Sequence, residues 1–327
     1  MKRPNVYVTR DVPGPALSIL REHCDVEVNP NDRQLTPAEL LACVKGRDAV
    51  LTQLADEMTA EVMEAAAPTV KVIANYAVGF NNLDLEAANR LGIACTNTPG
   101  VLSNAVAEYA WALLFAVARR VCESDRYMRT YGRIDNWSPV LLLGASVTGK
   151  TLGTIGTGRI GSAFVKKAKG FDMKLLYNDV APVPAFEAET GATFVDRDTL
   201  LRQSDYVSLN CPILPSTFHM LGAREFGLMK KNAILINTAR GAVVDEMAMI
   251  EALKSGQIMG AGLDVFEYEP EIAKELLAMD NVVLSPHVAS AETETREEMA
   301  TMCANNILAF FRGETPPNLL NPESQSR

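Results

Sequence analysis

Three side chains far apart in the sequence could do chemistry together: the guanidinium of Arg240, the carboxylate of Glu269 and the imidazole of His287. An imidazole titrates near neutrality, so it can give or take a proton under physiological conditions. A carboxylate paired with it orients the ring and favours its protonated form. A guanidinium offers a planar fork that matches a carboxylate and can polarise a neighbouring carbonyl. His287 is one of three histidines. His23 lies in the charged helical stretch Arg21-Glu22-His23 and reads as a solvated surface residue, while His219 follows Ser216-Thr217-Phe218 in a loop. Taken singly, each of the three has an ordinary alternative. Arg240 could be a surface residue before Gly241, and Glu269 stands among the acids Glu267, Glu271 and Glu275.

A second signal stands upstream. Leu152-Gly153-Thr154-Ile155 reads as a strand, followed by Gly156-Thr157-Gly158-Arg159-Ile160-Gly161 and by apolar residues at helical spacing: Ile160, Ala163, Phe164 and Ala168. Gly156 permits a tight turn, Gly158 lets the backbone approach a pyrophosphate, and Gly161 allows helix and strand to pack closely. The helix N-terminus then offers free N–H groups to the phosphates, and Gly170 is expected to close the helix. Asp179 lies eighteen residues after Gly161, at the end of the next strand. That is close to the offset of about 20 expected for a ribose-binding acid. Its carboxylate would repel a 2′-phosphate, and Val180 to Pro184 contain no Arg or Lys to receive one, so NAD is expected in preference to NADP. The plain alternatives are a glycine-rich turn without a ligand and an aspartate that only caps a turn. A dinucleotide beside a guanidinium, a carboxylate and an imidazole suggests hydride chemistry on a carboxylated ketone or alcohol.

The elements that must position these groups alternate along the chain. Val6–Thr9, Ala49–Thr52, Val70–Asn75 and Ile93–Thr96 are strand-like, and Thr36-Pro37-Ala38-Glu39 is a capping box that starts a helix. Thr98-Pro99-Gly100 interrupts the pattern, and Asn104 to Arg120 is a long apolar helix leading into a second domain. Alternation restarts with Thr151–Ile155, Met173–Tyr177, Tyr206–Leu209, Ala233–Ile236, Ala261–Leu263 and Val282–Leu284, enough for a six-stranded doubly wound sheet. A last helix, Thr293 to Arg312, is expected to pack back on the first domain, with Glu314 to Arg327 an irregular tail. The fold class is therefore α/β with two doubly wound parallel-sheet domains. The first is discontinuous, residues 1–101 and 291–327, and the second, 102–290, is a Rossmann-type domain inserted in it.

A length of 327 residues suits two domains. The formal charge of −9, with no opposing basic cluster, disfavours a nucleic-acid surface. Lys166, Lys167 and Lys169 read as one helix's last turn. The most apolar stretch, Tyr109 to Ala118, is half the length of about 20 residues that a membrane span needs. Met1 to Pro15 has no signal-peptide core. Cys24, Cys43, Cys95, Cys122, Cys211 and Cys303 are scattered without C-x-x-C pairing, as for reduced thiols in a cytoplasm. No metal site is expected.

The segments Ile236-Asn237-Thr238-Ala239-Arg240-Gly241, Asp264-Val265-Phe266-Glu267-Tyr268-Glu269-Pro270 and Ser285-Pro286-His287-Val288-Ala289-Ser290 resemble the signature blocks of the D-2-hydroxyacid dehydrogenase family. The resemblance runs from Val6 to Gly313-Glu314-Thr315-Pro316-Pro317. It implies that Arg240 binds substrate, that Glu269 pairs with His287, and that His287 is the acid–base. The second domain would be the NAD domain and the first a flavodoxin-like substrate domain. It further implies that Asp264 meets the nicotinamide carboxamide. Cys211, Pro212, Thr217, Thr238 and Ala239 would line the cofactor cleft, with Arg159 and Ile160 at the pyrophosphate. The loop Asn75 to Asn82 is similar to that of glyoxylate and hydroxypyruvate reductases, where Val78 and Gly79 match the substrate-carboxylate contact. Leu54 matches a residue closing over the substrate, and Trp137 one that reaches the partner subunit's site in a homodimer formed through the helix Asn104 to Arg120. Val106 stands where several relatives carry a hydroxyl near the phosphates, which would weaken NAD affinity.

The expected activity is reduction of a small 2-keto acid, glyoxylate or hydroxypyruvate, by NADH. Formate dehydrogenases share the fold but carry Gln at the place of Glu269, and formate has no oxygen that needs a proton. Phosphoglycerate or D-lactate dehydrogenase remains an alternative, the former wanting cationic residues for a phosphate. So does an NAD-sensing scaffold like the co-repressors that keep the same three residues.

Overall fold

A computed structural model describes residues 3–134 and 137–325. Their contacts divide into two compact units, one built from residues up to Leu102 together with those from Ala291, the other spanning Ser103–Ser290.

In the first unit, short aliphatic runs make five strands: β1 (Asn5–Val8), β2 (Asp25–Val28), β3 (Ala49–Gln53), β4 (Val72–Tyr76) and β5 (Ala94–Thr96). They pair in parallel in the order β2-β1-β3-β4-β5. Val50, Leu51, Val72, Ile73 and Ala74 are fully buried, as parallel strands covered on both faces must be. The capping box forms: Thr36 accepts from Glu39 N, and the Glu39 carboxylate accepts from Thr36 N. The helix Thr293–Phe311 packs on β4 and on the helix Ala16–His23, and Tyr76 Oη donates to Arg296 O at 2.7 Å.

The second unit carries seven parallel strands: β6 (Thr151–Ile155), β7 (Lys174–Asn178), β8 (Thr193–Phe194), β9 (Tyr206–Leu209), β10 (Ile234–Asn237), β11 (Gly260–Leu263) and β12 (Val282–Leu284). Their order is β12-β11-β10-β9-β6-β7-β8. The winding direction reverses between β6 and β9, and at such a switch point the carboxyl ends of the strands open a crevice. The helix Ser103–Ala118 packs across β10 and β11 and against the helix Arg159–Lys167. Trp111 locks that contact by stacking on Phe164, ring centroids 5.0 Å apart, and donating Nε1–H to Phe164 O.

Several sequence expectations need correction. Strand β2 went unread because Asp25-Val26-Glu27-Val28 is a half-exposed edge strand that follows charged residues. Leu54 therefore follows the third strand, not the second. Strand β8 has only two residues, and the large sheet has seven strands, not six. Gly170 does not close its helix: the α-helix ends at Lys167, a 3-10 turn spans Ala168–Phe171 and includes Lys169, and Asp172 takes the left-handed conformation. The tail carries no strand or α-helix as far as residue 325, where a 3-10 turn spans Pro322–Gln325, but it is anchored and not loose; the stretch beyond lies outside the described residues. Leu319 bridges Thr96, and buried Asn321 accepts from Cys95 N at 2.7 Å and donates to Ile93 O and Asn89 Oδ1. Among the described residues, no helix is long and apolar enough to cross a membrane.

Candidate functional site

Strands β10, β11 and β12 lie side by side with their carboxyl ends in register, Asn237 beside Leu263 and Leu263 beside Leu284. Arg240, Glu269 and His287 each follow one of these ends by a few residues, so separation in sequence becomes adjacency at one sheet edge.

Buried Asn237 shapes the first of the three loops. Its Oδ1 accepts from Ala239 N and its Nδ2 donates to Arg240 O, both at 3.0 Å. Arg240 is half-buried, and its Nη1 donates to Ala239 O at 2.7 Å. Burial lowers its tendency to hold the proton, and the nearby Glu269 charge opposes that effect.

Glu269 is held from two sides. Oε1 accepts from Phe266 N at 2.9 Å, and Oε2 lies 2.9 Å from His287 Nδ1. Burial pushes its pKa up, but the His287 bond and charge, the Phe266 N–H and the Arg240 charge together outweigh it, and the net shift is downward. The carboxylate form is therefore the favoured one. His287 adopts φ 55°, a region that side chains other than glycine rarely take. Asp264 imposes it. This side chain, 1% exposed, accepts from Ser285 Oγ at 2.6 Å, Val288 N at 2.9 Å and Ala289 N at 2.8 Å, while Asp264 O accepts from His287 N. The nicotinamide contact implied for Asp264 would be one role; its carboxylate has a second, gripping the loop that presents His287.

The glycine turn lies at the switch point. Gly156 follows β6 at φ 94°, and a Cβ there would meet Asn210 O at 2.6 Å, in the loop after β9. A Cβ on Gly161 would meet Gly156 O at 2.2 Å. At Gly158 nothing lies within 4 Å of that position, so backbone at the start of the helix Arg159–Lys167 is open to a ligand. Asp179 follows β7, beside β6. Its Oδ2 accepts from Thr157 N at 2.8 Å and Thr157 Oγ1 at 2.6 Å, and its Oδ1 from Val180 N. Burial raises its pKa, but these bonds together outweigh burial and leave it below the ordinary value. Two buried polar atoms at the same edge, Asn210 Oδ1 and Thr238 Oγ1, have no protein partner. An open glycine, an acid after β7 that favours its ionised form and two unfilled polar positions fit a dinucleotide. Cys211 is half-buried, its thiol pushed by burial up to about 11. Thr217 Oγ1 is engaged within its own loop, accepting from Leu214 N and donating to Pro212 O, each at 2.7 Å. Arg159 is exposed and Ile160 half-buried, while Val106 is buried in the helix Ser103–Ala118.

In the first unit, the loop after β4 is held by paired amides. Asn75 Nδ2 donates to Gly79 O at 2.9 Å and to Asn82 Oδ1, and Asn82 Nδ2 donates to Gln53 O and Asp56 O at 3.1 Å. Val78, Gly79 and Leu54 are half-buried. Trp137 is 85% exposed, and Asn136 before it lies outside the described residues. Among the described residues, no three His, Cys, Asp or Glu side chains form a metal-holding group.

Sequence reasoning missed the supports: Asn237, Thr157, Ser285, and a second histidine–carboxylate pair, His219 Nε2 to Glu267 Oε1 at 2.7 Å. The one available signal was Glu267 itself, two residues before Glu269 and named above only as one of its neighbouring acids.

The model for the NAD-binding domain of D-isomer specific 2-hydroxyacid dehydrogenases matches residues 111–289. A glyoxylate reductase from Thermococcus litoralis is 47% identical over 324 residues, 98% of each chain. A solved structure of a protein from Thermus thermophilus superposes with a TM-score of 0.90 at 44% identity, covering 97% of this chain and 99% of that one. That of an NADPH-dependent glyoxylate/hydroxypyruvate reductase from Sinorhizobium meliloti gives 0.85 at 29%, covering 99% of both. With the nucleotide turn, the Arg–Glu–His edge and near-complete coverage all agreeing, the chain belongs to the D-isomer specific 2-hydroxyacid dehydrogenase family and is an oxidoreductase that carries its NAD-binding domain.

Proposed function

We propose that the protein reduces glyoxylate or hydroxypyruvate with NADH. The observation that carries the chemistry is the Glu269–His287 bond, 2.9 Å long, at the carboxyl edge that also bears Arg240. The substrate class follows the curated relatives, which are glyoxylate reductases. Gly156, Gly158, Gly161 and the helix start at Arg159 and Ile160 would hold the pyrophosphate. Asp179 would hold the ribose, with Cys211, Pro212, Thr217, Thr238 and Ala239 beside the rest of the cofactor. When bound, the nicotinamide supplies the hydride. Arg240 holds the substrate carboxylate and draws electron density toward the keto oxygen. His287 gives that oxygen a proton, and Glu269 keeps the ring oriented while it does so. Asp264 would meet the nicotinamide carboxamide, and it also fixes the His287 loop. Residues 102–290 act as the cofactor domain. The unit made from both chain ends is the substrate-binding domain, where Val78 and Gly79 offer backbone N–H groups to the carboxylate and Leu54 closes over it.

We also read the protein as a cytoplasmic homodimer. Its six cysteines are all unpaired. The helix Ser103–Ala118 packs on its own unit by one face and leaves Asn104, Glu108 and Ala112 exposed, and the helix Val121–Tyr131 that follows buries none of its side chains. Val121, Met128, Tyr131, Ile134, Trp137, Val140, Leu141 and Leu143 are all exposed. Apolar exposure of that extent is characteristic of an interface, and it includes the Trp137 expected to reach a partner's site.

The test is a panel of small 2-keto acids run with NADH and with NADPH. Turnover of glyoxylate or hydroxypyruvate with NADH is expected. No turnover on any member would replace the enzyme with a nucleotide-sensing scaffold.

A further inference from the structure

Behind Glu269 stands a second imidazole–carboxylate pair that the proton transfer does not use. His219 Nε2 lies 2.7 Å from Glu267 Oε1, and the Glu267 side chain is 8% exposed. The other Glu267 oxygen accepts from Glu246 N, and Glu246 Oε2 accepts from Glu267 N, both at 3.1 Å. His219 is fixed in turn. Its backbone takes φ 47°, its N–H donates to Ala242 O at 2.9 Å, and its ring stacks on Phe218, centroids 4.0 Å apart. Three segments are thereby tied together: residues 217–221, the Arg240 loop with the helix start behind it, and the loop that carries Glu269.

These bonds converge on one dipeptide, Phe266–Glu267, through its two N–H groups and the Glu267 side chain. Phe266 N holds the Glu269 carboxylate at 2.9 Å, Glu267 N is held by Glu246, and the Glu267 side chain is held by His219. Gly241 presses on the same peptide: a Cβ there would lie 1.9 Å from Phe266 C and 2.3 Å from Glu267 N. The placement of this peptide therefore sets both the Glu269 carboxylate and its separation from the Arg240 loop.

We propose that His219 and Glu267 are positioning residues, a clamp that fixes the Phe266–Glu267 peptide and acts on catalysis through Glu269. The proposal rests on the reading of Glu269 and His287 as the acid–base pair. It is tested in the full chain with His219→Ala, His219→Gln, Glu269→Gln and the double variant His219→Ala/Glu269→Gln, using NADH and glyoxylate. His219→Ala should lower kcat about 10-fold, part of the ~10²-fold that a ~1 Å misplacement costs. KM for glyoxylate and Kd for NADH should stay near wild type. His219→Gln, whose amide can still donate to Glu267, should restore most of the loss. The double variant should be no slower than Glu269→Gln alone, because both changes act through one group. Losses that multiply in the double variant, or a His219→Ala enzyme at wild-type kcat, would overturn the clamp. Wild-type kcat in Glu269→Gln would instead overturn the acid–base reading, and the clamp with it. Should His219→Ala fail to fold, Glu267→Gln, which keeps the side chain's shape, replaces it in the same cycle.

Discussion

The contact between Gly241 and the Phe266–Glu267 peptide permits a worked prediction. In Gly241→Ala the added methyl would sit 1.9 Å from Phe266 C, 2.0 Å from its O and 2.3 Å from Glu267 N. Non-bonded carbon atoms settle about 3.5–4.0 Å apart, so the two loops must part by more than about 1 Å. The obstacle is backbone, and no side chain can rotate out of the way. Overpacking of this kind costs about 1–3 kcal/mol of stability. A misplacement of ~1 Å at a reacting constellation costs ~10²-fold in rate. The expected enzyme is folded, melts at a lower temperature, and has kcat reduced about 10²-fold. Its Kd for NADH, read from quenching of the cofactor's fluorescence, should rise by a smaller factor than kcat falls, because β9 separates the nucleotide turn at β6 from the displaced loops and only the contacts of Thr238 and Ala239 move with them. Gly158→Ala is the counterpart. Nothing lies within 4 Å of its added methyl, so the fold tolerates it, and the methyl instead occupies space proposed for the pyrophosphate. It should raise Kd for NADH and leave kcat at saturation near wild type. A folded Gly241→Ala enzyme with unchanged kcat, or the same kinetic pattern in both variants, would refute the reasoning.

His287→Ala should lower kcat by about 10²–10⁴, the usual worth of a positioned proton donor, with NADH binding intact; a smaller effect would remove it from the proton-transfer role. Asp179→Ala should raise KM for NADH and lower it for NADPH, because the carboxylate holds ribose hydroxyls and repels a 2′-phosphate. A wild-type enzyme that prefers NADPH would count against that assignment. Glu269 binds a proton more weakly folded than unfolded, so it stabilises the fold above the unfolded value of about 4.3 and ceases to do so as pH falls through its lower folded value. Thermal melts between about pH 3 and 6 should therefore show a shallower acid decline for Glu269→Gln; identical pH dependence would refute the pairing.

The buried strands were legible because parallel sheets covered on both faces need near-continuous apolar runs, as in β3, β4 and β10. What stayed hidden is short or amphipathic: β2, whose alternating acids suit an edge, and the two-residue β8. The glycine turn could be placed because its roles follow from backbone geometry. Gly170 misled because a 3-10 turn and Asp172 ended that helix instead. Arg240, Glu269 and His287 could be named, but not what orients them. Asp264, Asn237 and the His219–Glu267 pair act through bonds to groups 2 to 48 residues away in the chain, and no spacing rule encodes those. Asp264 shows the consequence, since no spacing in the sequence discloses that its carboxylate holds the histidine's loop.

The first unit is assembled from both ends of the chain, and this constrains how a ribosome can make it. Strand β4 receives its covering helix only when Thr293–Phe311 has been synthesised, and β5 its last hydrogen bonds only when Asn321 follows. Until then β4 must wait with one face uncovered, whereas Ser103–Ser290 has every strand of its own sheet in hand. The nucleotide-binding half can therefore mature on a nascent chain whose older half is still incomplete. A premature stop before residue 293 would leave an intact Rossmann sheet tethered to an open, aggregation-prone one.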